Sequence, residues 1–128
     1  MSDADNLTEA FAAADKGDAS LLVGLYADDM TWAGFKPDGT QTVYTKGSFL
    51  EGFGILANLD EAKNEVVRTD TTPEGLVVAW IRAYRRKGDD VLDFTMVMVH
   101  QFVDGKVVRG ADMCPPSFGE YWTKLGLA

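Results

Sequence analysis

The chain has 128 residues, a formal charge of -8, and 46% hydrophobic and 25% charged side chains, the composition of one soluble globular domain, residues 1–128, able to bury its own core. That negative charge repels phosphate backbones and anionic lipid, so neither nucleic acid nor a membrane is expected as a partner. A single Cys (Cys114) and a single His (His100) exclude an internal disulfide and leave no zinc-ligand spacing; neither metal nor organic cofactor is expected.

No apolar run approaches the ~20 residues of a membrane span. The opening MSDADNLTEA is acidic and lacks the basic start and apolar stretch of a secretory signal, so a cytoplasmic location is expected.

In chain order, Asn6 followed by Glu9 predicts a helix start, with Leu7, Ala10, Phe11 and Ala14 on one face. Gly17 ends that helix, and Asp18 caps a second one carrying Leu21, Leu22, Leu25 and Tyr26. Met30 to Phe35 reads as a short strand and Lys36 to Thr42 as a turn. A third helix is predicted over Lys46 to Asn58, with Phe49, Phe53 and Leu56 on one side and three glycines weakening it. An antiparallel meander follows: strands over Glu65–Thr72 and Leu76–Arg86, a loop over Lys87–Val91, and a long hairpin over Leu92–Pro116. Ser117 with Glu120 predicts a capping box for a last short helix. Helices ahead of a meander give an α+β domain. The strands are apolar on both faces, so one face lines a core or pocket and the other is expected to form a sheet-to-sheet homodimer.

The turn Val103-Asp104-Gly105 decides which polar side chains meet. A two-residue Asp-Gly loop pairs Val103 with Lys106 and sets Asp112 opposite Val97; a three-residue turn with Gly105 as a bulge pairs Phe102 with Lys106 and sets Asp112 opposite Met96. The second is preferred, because it gathers Phe94, Met96, Met98, His100 and Asp112 on one face. Aligning Arg86 with Leu92 then places Arg82 opposite Met96, making a row of Arg82, Met96 and Asp112 across three strands. His100 is about 13 Å from that row and forms no dyad with Asp112.

These residues are the candidates for chemistry. Asp112 is a candidate general base that removes a proton α to a carbonyl, Arg82 a candidate to hold the developing oxyanion, and His100 a candidate proton donor at the far end of the cavity. The competing readings are a structural Arg–Asp pair and a core histidine. Tyr26, Trp32, Phe53, Trp80, Tyr84, Met96 and Met98 are candidate walls for a flat hydrophobic ligand, with ordinary core packing as the alternative.

The element order, with LYADDMTW early and FVDGKVVRGADM late, resembles the SnoaL-like branch of the nuclear-transport-factor-like superfamily over about Leu7 to Leu125. The resemblance implies a conical α+β fold in which a curved antiparallel sheet wraps a long third helix around a deep apolar cavity. It also implies a late-strand acid/base Asp paired with a histidine one strand earlier, as in the polyketide cyclases of that branch; here these are Asp112 and His100. The ketosteroid isomerase base, oxyanion acid and tyrosine fall on Gly34, Met98 and Ala10. Of the epoxide hydrolase triad, Arg82 and Asp112 match and Tyr84 replaces the second acid. Two classes of function stay open: a cofactor-independent acid/base enzyme of cyclase, isomerase or hydrolase type acting on a hydrophobic carbonyl or polyketide-like compound, and a non-catalytic ligand-binding or dimerisation module.

Overall fold

The computed structural model describes residues 2–128. Helix α1 (Asp3–Asp15) is capped by Ser2, not Asn6: Ser2 and Asp5 form a reciprocal capping box one turn earlier than expected. Leu7, Ala10 and Phe11 are its buried stripe. In α2 (Ser20–Leu25) the N-cap is Ala19 and no side chain caps it: Asp18, expected as the cap, stands one residue earlier, where its carboxylate accepts the Ser20 N–H at 3.0 Å, and Tyr26 begins the following strand.

Strand β1 (Tyr26–Phe35) is longer than its apolar core suggested, and it turns over residues 36–40 into β2 (Gln41–Thr45), an additional strand whose first two residues fall in the expected turn. The third helix is short: α3 runs over Lys46–Gly52 and tightens into a 3-10 segment, Phe53–Asn58. Gly52 and Gly54 straddle that junction, where glycine's low helix propensity weakens continuous α structure. The meander then follows as β3 (Glu61–Thr71), β4 (Val77–Lys87), β5 (Asp90–Val103) and β6 (Lys106–Met113), closed by α4 (Ser117–Lys124). The start of α4 lacks the expected capping box, because Pro116 holds the N-cap position and no side chain caps the turn.

One curved, unclosed sheet of order β2-β1-β6-β5-β4-β3 results. Every pair is antiparallel except β1 with β6, which run parallel. This makes β6 central and sets it between β1 and β5. The inner face carries Val77, Ala79, Ile81 and Ala83 of β4 against Met98, Met96 and Phe94 of β5, with α1, α3 and α4 packed over it. Alternation of apolar residues with period two is the physical basis of that face.

The register differs from expectation at both ends of β5. The β4–β5 turn is a tight Gly88-Asp89 loop pairing Lys87 with Asp90, so Arg82 lies opposite Thr95. That is a slip of one residue, and it moves Arg82 to the outer face. At the other end Asp104 (φ 51°) and Gly105 (φ 79°) make a two-residue turn pairing Val103 with Lys106. A bulge at Val108 then adds one residue to β6, so that Asp112 pairs with Met98 rather than Met96 or Val97. The expected face for Asp112 is therefore the observed one, reached by a different turn.

Candidate functional site

The bulge, the parallel β1–β6 pair and two glycines together place a carboxylate in an apolar wall. Trp32 of β1 pairs with Gly110 of β6, and Gly110 pairs in turn with His100 of β5. A Cβ on Gly110 would stand 2.0 Å from the Trp32 ring, so only glycine admits the indole over this strand. The ring then reaches the next inward residue of β6, and its Nε1–H donates to Asp112 Oδ2 at 2.9 Å. Gly34 lies beside the same pair: a Cβ there would meet both Asp112 oxygens at 3.3 Å and Trp32 Cδ1 at 3.1 Å. The other oxygen, Oδ1, is buried and has no hydrogen-bond partner among the described residues. Burial pushes the Asp112 carboxyl above the usual carboxylate range, and the Trp32 hydrogen bond opposes this only in part.

Asp112 belongs to the wall of a cavity of about 130 Å³. The apolar wall comes from Phe49, Phe53, Phe94, Met96, Met98 and Trp122, with Cys114 and Arg85 among the remaining residues. The Trp122 indole N–H is buried and also lacks an acceptor among the described residues. Burial and the Asp112 charge push the Cys114 thiol up to about 12, so it is not a nucleophile at neutral pH. No group of three or more His, Cys, Asp or Glu side chains converges among the described residues.

Phe53, Met96, Met98 and Asp112 thus stand where the sequence put them, on one cavity. The other candidates lie elsewhere. Arg82 is on the outer face, where Nε and Nη2 bind the Asp93 carboxylate at 3.0 and 2.6 Å in an exposed bidentate pair. It cannot hold an oxyanion in the cavity. Trp80 and Tyr84 share that outer parity of β4, and Trp80 lies under the Arg68 guanidinium, 4.7 Å from its centroid.

His100 is in the core, behind the cavity. Its Nδ1 lies 3.1 Å from the Val77 carbonyl, its ring packs 5.2 Å from Trp32, and it is fully buried. Burial lowers its pKa to about 4, so at neutral pH the imidazole is uncharged, with Nδ1–H donating to Val77. It is no proton donor to the cavity. Trp32 and Tyr26 are also buried beneath the wall, Trp32 as the partner of Asp112 and Tyr26 edge-on to Trp32 and Phe49.

The residue that sequence reasoning missed is Arg85. It continues the inward series Val77, Ala79, Ile81, Ala83 and is 5% exposed on the cavity wall. Period-two counting from Val77 was the signal that would have found it. Its Nη1 donates to the carbonyls of Lys63 (3.0 Å) and Tyr84 (3.1 Å), and its Nη2 to Asn64 Oδ1 (2.8 Å).

The SnoaL-like domain family model matches residues 7–110. No curated protein matches the chain in sequence. Among solved structures, IdmH from Streptomyces antibioticus, a candidate polyketide cyclase, shares 17% identity with TM-score 0.78, covering 98% of this chain and 99% of its own. Bal32a, from a soil-derived mobile gene cassette, has 19% identity and TM-score 0.78 over 94% and 95%. TerC, crystallised with polyporic acid, has 13% identity and TM-score 0.74 over 93% and 96%. At these identities the likeness is one of fold.

Proposed function

Since the chain belongs to the SnoaL-like domain family, we propose that it is a cofactor-independent acid/base enzyme, of cyclase, isomerase or hydrolase type, acting on a hydrophobic carbonyl or polyketide-like compound. The observation that carries this reading is Asp112: one oxygen anchored by Trp32, the other buried without a partner, in the wall of an apolar cavity. A carboxyl held above its ordinary range exchanges protons nearer neutral pH than a solvated one, which is what a group that both takes and returns a proton needs.

In the mechanism that follows, the ligand's ring system displaces water along Phe53, Phe94, Met96 and Met98. Asp112 Oδ1 removes the proton α to the carbonyl, and Trp32 keeps the carboxylate oriented as its charge is neutralised. The proton then returns to another atom of the delocalised anion. That two cyclase candidates of the same fold, IdmH and a protein from Pseudomonas putida, stand among the structural relatives agrees with such chemistry. The outer sheet face, with Trp80, Val97 and Met113 in one cross-strand row beside Val78, Val99 and Ala111, is the proposed homodimer surface.

The direct test uses 2-tetralone in D₂O, with α-hydrogen exchange followed by NMR. The wild-type protein should accelerate exchange, and Asp112→Asn should reduce that acceleration by roughly 10²-fold or more. Equal exchange by the two proteins would reject Asp112 as the base.

A further inference from the structure

Arg85 presents a problem that the proton transfer at Asp112 does not use. A guanidinium 5% exposed stands on the wall of an apolar cavity, and among the described residues no carboxylate is in ion-pair contact with it. Its protein acceptors are two backbone carbonyls and one amide oxygen, all neutral. The nearest structural anion acts at one remove: Asp15, at the end of α1, takes the Asn64 backbone N–H, and the Asn64 side chain in turn takes Arg85. The three hydrogen bonds formed leave the Nε hydrogen and one Nη2 hydrogen without a protein acceptor. Burying a cation without its counter-charge is costly, and the fold bears that cost here.

A second donor lies on the same wall. The Trp122 indole N–H is buried and likewise lacks an acceptor among the described residues. The two unmatched donors contrast with Asp112, which sits elsewhere along the cavity. Asp112 pairs with Met98, whereas Arg85 pairs with Leu92, six residues away on β5. Cys114 is close enough to both to feel their charges.

We propose that Arg85 is an anion subsite, and that the ligand is a planar conjugated molecule bearing a carboxylate, bound with the carboxylate at Arg85 and its reacting carbon toward Asp112. This deepens the reading given above and rests on it for the cavity being a ligand site. Phe49, Phe53 and Phe94 among the lining residues suit the faces and edges of a flat conjugated ligand. The planar fork of arginine suits a carboxylate, which it can bind through two parallel hydrogen bonds.

The test is isothermal titration calorimetry with trans-cinnamate and its neutral isostere trans-cinnamamide at pH 7.5. Wild-type protein should bind the acid roughly ten- to a hundredfold more tightly than the amide, the ratio expected of hydrogen bonds to a charged group. Arg85→Met should lose that ratio, and Arg85→Lys should retain part of it. Because the ratio is read on wild-type protein, it does not depend on either variant folding. If acid and amide bind wild-type protein equally, the anion subsite is overturned and the cavity reading stands. If neither binds, both fall.

Discussion

Trp32 and Asp112 meet across the parallel strand pair β1–β6, indole N–H to carboxylate at 2.9 Å. Eighty residues separate them in the chain, and the contact depends on Gly110 having no side chain. It fixes the carboxylate without neutralising it. A lysine or arginine in the place of Trp32 would hold the acid ionised; an indole N–H orients it and leaves burial to raise its pKa.

Asp112→Asn should therefore make the protein more stable at pH 7, by roughly 1 kcal/mol, even as it slows proton transfer. The amide oxygen still accepts from Trp32, and the penalty of an ionised group in an apolar wall disappears. Thermal denaturation of both proteins gives the answer, and a lower Tm for the asparagine variant would contradict it.

Acidification should act on His100 and Asp112 in opposite directions. His100 is neutral in the fold, with a pKa of about 4 against an ordinary value of 6.5. The unfolded chain takes up that proton first, so the stability it contributes is complete above pH 6.5 and is lost between 6.5 and about 4. The loss is on the order of 3 kcal/mol. Asp112 is shifted upward, so the folded protein takes its proton before the unfolded chain does and regains stability as pH falls from its raised value toward 3.8. Urea unfolding at pH 7 and pH 5 should show a smaller drop for His100→Asn than for wild type.

Gly110→Ala should be the most damaging single-methyl change in the sheet. The added carbon would overlap the Trp32 ring, and the overpacking should cost about 3 kcal/mol or more. Gly34→Ala meets its neighbours at 3.1 to 3.3 Å and should be milder in stability while still disturbing the Asp112 carboxylate. Tm together with tetralone exchange separates the two effects.

Arg82→Ala should leave exchange and ligand binding as in wild type and change stability little. Its partner Asp93 is exposed, and such pairs contribute little in water. A loss of activity in this variant would mean that the β4 register has been misread.

Wild-type protein should sediment as a dimer at micromolar concentration, and Val99→Asp, in the middle of the outer apolar face, should sediment as a monomer. A monomeric wild type would remove the dimer proposal.

The long strands, their apolar inner face and the place of Asp112 on it were legible from period-two alternation, which is a local property. What alternation does not encode is the length of each turn. The Arg82 placement failed by one residue at the Gly88-Asp89 loop, and the same slip hid Arg85. Asp112 came out on the correct face because a two-residue turn followed by a bulge has the same parity as a three-residue turn. His100 read as a candidate because it is the single histidine; nothing in its neighbours announces the Val77 carbonyl that holds it. The Trp32–Asp112 contact had no local sign, since it needs the parallel pairing of β1 with β6 and the missing side chain at Gly110.

The extra residue at Val108 behaves like a shift of reading frame within the hairpin. Val107, before it, points inward, so an unbroken strand would carry every even-numbered residue from 108 to 112 outward. Flattening the bulge, with Val108 kept in the ladder, would present Asp112 to the surroundings and turn Arg109 and Ala111 toward the core, with no change in the residues themselves. A related chain that pairs these strands without the bulge would need one residue fewer before its acid, or a turn of the other parity, to keep that acid inside. Turn and bulge therefore set the facing of the acid together, and alignments of such chains should be anchored on the inward acid rather than on the turn.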